Sequence, residues 1–287
     1  MNKQTAIPKA LHFFLTKIII GIAVVGGSVA LTEWSGRLLL DKTQLTDNSK
    51  NVIIAISDAA IALLSYILLF RAYEKRQIKE LSSLAFGKNA MIGFATGLVL
   101  QSLFILVIYM TDGYSVIKIN PFSFLVPAFT TALTAGFVAE ILIRSVFFRL
   151  LEEKSGTKIA LLILTLLFGL LHLNVAGATA LSVFTTAIQA GLLLSAAYVF
   201  TRSLWVTIFF HFAWDFAEPG IFGAANPGNT IEQSLFTSKI TGPVYLTGGQ
   251  SGPQNSIQAL LFCSIAALLF LWLAKRNNTF IKPFWKK

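Results

Sequence analysis

Eight apolar runs divide this chain, near residues 12–34, 50–71, 90–111, 122–148, 157–174, 178–200, 203–218 and 256–274. Most have the roughly 18 to 25 residues that an α-helix needs to cross a hydrocarbon core of about 30 Å. Across the 287 residues 55% are hydrophobic, 13% are charged and the mean hydropathy is +0.71, which excludes an ordinary soluble domain. The fold class that follows is all-α: a polytopic membrane protein built as a bundle of about eight transmembrane helices. No internal repeat or low-complexity linker interrupts the chain, so residues 1–287 are expected to form a single integral-membrane domain. The run "IIIGIAVVGGSVAL" resembles a signal peptide, but "TEWSGRLLL" after it offers no convincing mature start.

Charge placement sets the expected orientation. With the N-terminus inside, seventeen Lys and Arg fall on the inner side, and only Arg37, Lys42, Lys50, Lys118 and Lys239 on the outer. Both termini are therefore expected to be cytoplasmic, in a plasma membrane of bacterial type. The net charge of +10 then reflects topology and contact with anionic lipid at the cytoplasmic face, not nucleic-acid binding. The one cysteine, Cys263, lies in the last span and is expected to be a packed thiol. The long outer connection, about 219–255, is dense in Gly and Pro, which argues against regular helix there.

Ionisable residues inside such spans are costly and mark a bundle interior or a wet cavity. "FVAEILIRSV" sets Glu140 and Arg144 four apart on one helical face, able to pair. "LLFGLLHLN" ends an apolar helix with His172, one turn after Phe168, and "HFAWD" puts His211 and Asp215 on one face. Each pair has a purely structural explanation, but three helices carrying independent costs favour one shared site. Elsewhere the structural reading prevails: Glu152 and Glu153 in "RLLEEKSG" look like a solvated helix end beside Arg149 and Lys154, and His12 an interfacial residue. Two imidazoles with carboxylates suit peptide hydrolysis, which needs a base for water and donors for an oxyanion. A zinc site built from His172, His211 and Asp215 is the alternative chemistry, and a proton relay through Glu140, His172 and Asp215 the transporter alternative.

In order and approximate spacing, "AEILIR", "FGLLH" and "HFAWD" resemble the EExxxR, FxxxH and HxxxN/D motifs of the CPBP intramembrane protease family. That family includes type II CAAX prenyl endopeptidases and lysostaphin-resistance relatives. The resemblance covers about 122–255, including the Gly-rich "GPVYLTGGQSGP", and leaves the first three spans unmatched. It implies an intramembrane endopeptidase acting on a membrane-associated peptide, prenylated or carrying a leader or signal, with no obligatory cofactor. Arg144 would close the first motif and Glu140 would be its second acid; His172 would hold the attacking water; His211 and Asp215 would stabilise the oxyanion. The family's water-activating Glu is Ala139 here, and a methyl group accepts no proton. An engineered change, a relative that binds or regulates without cleaving, or a site with Asp215 as base each account for this.

Overall fold

The computed structural model describes residues 13–174, 178–224 and 233–286, so His12 lies outside the described residues. Three long helices come first: α1 (Phe14–Leu40), α2 (Asp47–Tyr73) and α3 (Phe86–Met110). Helix α4 (Val126–Glu140) runs through a π-helical stretch, Ile141–Phe148, into α5 (Arg149–Ser155), and Gly156 at φ 81° breaks the chain before α6 (Thr157–His172). Helix α7 (Ala180–Thr186) passes through a second π-helical stretch, Ala187–Leu193, into α8 (Leu194–Thr201). A third stretch, Ala217–Ile221, extends α9 (Leu204–Phe216), and the short α10 (Val244–Thr247) precedes α11 (Ile257–Arg276). Helix starts are chemically marked: Thr46 and Ser256 accept from main-chain N–H groups of α2 and α11, and Thr179 with Ser182 closes a capping box on α7.

Among the described residues six helical segments are long and apolar enough to cross a membrane. The other two expected spans fall short: α6 has 16 residues and α9 has 13 before its π-helical extension. Ile19, Leu31 and Trp34 on α1 and Leu261, Leu268 and Trp272 on α11 stay exposed, as suits side chains that face lipid. The all-helical expectation omits one element. Strand β1 (Tyr114–Ile119) pairs antiparallel with β2 (Phe236–Ile240), tying the α3–α4 connection to the long segment before α11.

Helix α9 sits at the centre, packed on both α3 and α4. Small residues permit the approach. A side chain at Gly93 or Gly97 would meet the Val206 and Phe210 carbonyls at 2.1 and 2.6 Å, and one at Gly136 would meet the Ile208 carbonyl at 2.9 Å.

One expectation is corrected. Glu153 is half exposed and pairs with Arg149, but Glu152 is not solvated; it is 1% exposed. Arg202, left-handed at φ 52° between α8 and α9, donates to Glu152 Oε2 at 2.6 Å and Oε1 at 3.0 Å, and Thr157 donates to the same carboxylate. A partner fifty residues away is invisible to a local reading of "RLLEEKSG".

Candidate functional site

The site is built outward from α9. His211 and Asp215 lie one turn apart, and His211 Nε2 faces Asp215 Oδ2 at 3.4 Å. On its other side His211 Nδ1 meets Glu140 Oε1 at 2.8 Å, which joins α9 to α4. The same Glu140 oxygen accepts from Arg144 Nη1 at 3.0 Å. Glu140 is fully buried and Arg144 1% exposed, so this charge pair is sealed inside the bundle.

Arg144 belongs to the first π-helical stretch, and its other end fixes two further elements. Nη2 donates to the Ala190 carbonyl in the second π-helical stretch, and the guanidinium lies 5.6 Å from the Phe168 ring centre on α6. Phe168 is one turn before His172. Arg144 thereby holds the helix that delivers His172 in register with the helix that delivers His211. π-Helical turns often occur at functional sites, and here each of the three carries a site residue: Arg144, Gln189 and Glu218.

His172, His211 and Asp215 line one cavity of about 680 Å³. Glu140 and Arg144 are buried behind His211. The five residues singled out from sequence therefore come together as three wall residues backed by one charge pair. Ala139 is half-buried. Thr131, Ala135 and Ala139 follow at four-residue spacing along one face of α4; Thr131 lines this cavity and Ala135 a second one beside it.

Several wall residues were missed. Gln189, Trp214, Gln254 and Asn255 also line the cavity. Gln254 is a hub: Trp214 Nε1 donates to its side-chain oxygen at 2.8 Å, and Gln189 Nε2 to its carbonyl at 2.6 Å. Its own N–H donates to Glu218 Oε2 at 3.0 Å. Glu218 is fully buried, and with its amide turned to suit its neighbours Gln101 donates to the same oxygen at 3.0 Å. The signal for Glu218 was present, since it follows Asp215 by three on the same helical face.

The zinc alternative does not fit. Among the described residues no group of three His, Cys, Asp or Glu side chains is disposed to hold a metal ion.

Residues 121–217 match the family model for Rce1-like type II CAAX prenyl endopeptidases. The match supports the CPBP resemblance and covers one-third of the chain, starting just before α4 and including Glu140, Arg144, His172, His211 and Asp215. It stops short of Glu218 and of the Gly-rich segment near 242–253. No curated protein and no solved structure matches. The apolar helices and this match indicate an integral membrane protein that is similar, over residues 121–217, to CAAX-type proteases.

Proposed function

We propose that the chain is an intramembrane endopeptidase whose cavity admits a membrane-associated peptide and water. One observation supports this above all: His172, His211 and Asp215, from two separate apolar helices, share a cavity of about 680 Å³ inside the bundle. In the proposed cycle His172 holds the water. His211 Nε2–H turns from Asp215, 3.4 Å away, to the carbonyl oxygen that becomes negative. The proton of the attacking water passes to a carboxylate in the wall and then to the leaving amine. Of the two carboxylates lining the cavity, Asp47 and Asp215, Asp215 is the one beside His211; Ala139 marks where the family's acid would stand. Buried Glu140 keeps His211 oriented and is itself engaged by Arg144. Hydrolysis by this chain is therefore slow. The seventeen-to-five distribution of Lys and Arg supports cytoplasmic termini, a bacterial-type plasma membrane and contact with anionic lipid.

The test uses a farnesylated peptide ending in a CAAX motif, embedded in liposomes with the purified protein. Ala139→Glu should raise cleavage by the factor a general base contributes, roughly 10²–10⁴, and His172→Ala in that background should abolish the gain. Cleavage that needs Asp215 and is unimproved by Ala139→Glu would make Asp215 the whole base. No cleavage by either version, with the peptide still bound, would favour the second reading, which Ala139 itself motivates: a recognition or regulatory protein using the same cavity.

A further inference from the structure

A second cavity, of about 420 Å³, lies between α1, α2 and α4, outside the site described above. Its wall holds two carboxylates that the proposed chemistry does not use, Glu33 and Asp58. Asp58, on α2, is 1% exposed, and its Oδ1 has no hydrogen-bond partner among the described residues. A buried carboxyl oxygen without a partner is unfavourable by about 1–3 kcal/mol, and a cationic donor entering the cavity would satisfy it.

The other charged groups facing this space are Glu33 and Arg37 on α1. They satisfy each other, with Arg37 Nη2 and Nε donating to Glu33 Oε1 at 2.9 and 3.3 Å. With Glu33 and Arg37 cancelling, the charge of the cavity is set by Asp58, and Thr130, Thr131 and Thr134 of α4 add hydroxyl partners. Its volume is many times one water's share of liquid, roughly 30 Å³, so it has room for more than a single small ion. It suits an ammonium or guanidinium group on an aliphatic stem, whose methylenes would lie against Ile54, Ala55 and Ala135. The two cavities are neighbours, because Pro127 and Thr131 line both.

We propose that the cavity between α1, α2 and α4 is a side-chain subsite, in which Asp58 receives the basic residue of a peptide lying in the first cavity. This rests on the reading of the first cavity as a peptide site, and it gives the substrate a chemical class: a peptide with a Lys or Arg near the bond presented to His172 and Asp215.

The experiment measures binding, not cleavage. Full-length protein in nanodiscs is titrated with acetylated, amidated alanine pentapeptides carrying one lysine at each position in turn, and with their norleucine counterparts. At one position lysine should bind about tenfold more tightly than norleucine, the scale of one close charge pair. Asp58→Asn should erase the preference, while Asp58→Glu, which keeps the charge, should retain it. Binding without a lysine preference, or a preference that survives Asp58→Asn, overturns the subsite and leaves the peptide reading standing. No binding of any peptide overturns both. Sodium chloride that stabilises the wild type but not Asp58→Asn, relative to tetramethylammonium chloride and with no lysine preference, assigns the cavity to an inorganic ion and overturns the proposal.

Discussion

Glu140 and His211 meet at 2.8 Å across the α4–α9 interface, through the same carboxylate oxygen that holds Arg144. One atom thus links a motif on each helix, while Glu140 Oε2 is buried with no partner among the described residues. The arrangement depends on charge balance more than on hydrogen-bond number.

Removing only the acid should therefore be worse than removing the pair. Glu140→Ala leaves the Arg144 guanidinium buried and uncompensated, a loss of about 3–5 kcal/mol for a broken buried pair. Glu140→Leu with Arg144→Met replaces both charges by apolar volume and should recover much of that stability. Thermal unfolding in one detergent ranks the variants; a double variant less stable than Glu140→Ala would refute the charge-balance account. Activity should be lost in both, since His211 loses its orienting partner.

Glu218 should act on the cavity wall through Gln254. Glu218→Ala removes the acceptor of the Gln254 N–H and should cost about 1–3 kcal/mol, the penalty for an unsatisfied buried donor. Glu218→Gln keeps an acceptor oxygen and should cost less. Hydrogen exchange at Ser251–Ser256 should quicken in the alanine variant more than in the glutamine variant. Equal exchange in both would mean that the carboxylate does not anchor this segment.

How much of this was legible follows from distance along the chain. "HFAWD" and "AEILIR" declare their geometry because residues four apart in a helix share a face, and the spacing of Phe168 and His172 does the same. Contacts between helices carry no such signature. Nothing in the sequence pairs Glu140 with His211, seventy-one residues on, or Glu152 with Arg202. Gln189, Gln254 and Asn255 are uncharged, so the cost argument that flags a carboxylate in a membrane passes over them. The strand pair was hidden for a related reason: Gly and Pro around 219–255 argue against helix but do not reveal which distant edge "FTSKI" joins.

The turn at Arg202 separates backbone from charge. Its φ of 52° suits glycine, and an L-residue there gives up roughly 1–2 kcal/mol. Arg202→Ala loses the Glu152 pair and keeps the strain; Arg202→Gly loses the pair and relieves it. The glycine variant should therefore be the more stable of the two by about 1 kcal/mol. Equal melting temperatures would show that the turn relaxes out of the left-handed region once the ion pair is gone.

At the end of α2, Glu74 collects three cations: Lys17 at 2.9 Å, Arg76 at 3.1 Å and Arg149 at 3.0 Å. Burial alone would raise its pKa, but Arg149, Lys17 and Arg76 outweigh burial and hold it below the usual glutamate range. A depressed folded-state pKa means that the unfolded chain binds the proton first on acidification. The stabilisation is thus fully present above the unfolded value, about pH 4.3, and is lost as pH falls through the lower folded value. Melting temperature in nanodiscs, followed from neutral pH down to about pH 3, should fall below that unfolded value. Glu74→Gln should melt lower at neutral pH and flatten the acid limb, because its side chain has no proton to take up. An acid limb of unchanged steepness in Glu74→Gln would mean that another carboxylate controls the acid sensitivity and that the Lys17, Arg76 and Arg149 cluster contributes little through Glu74.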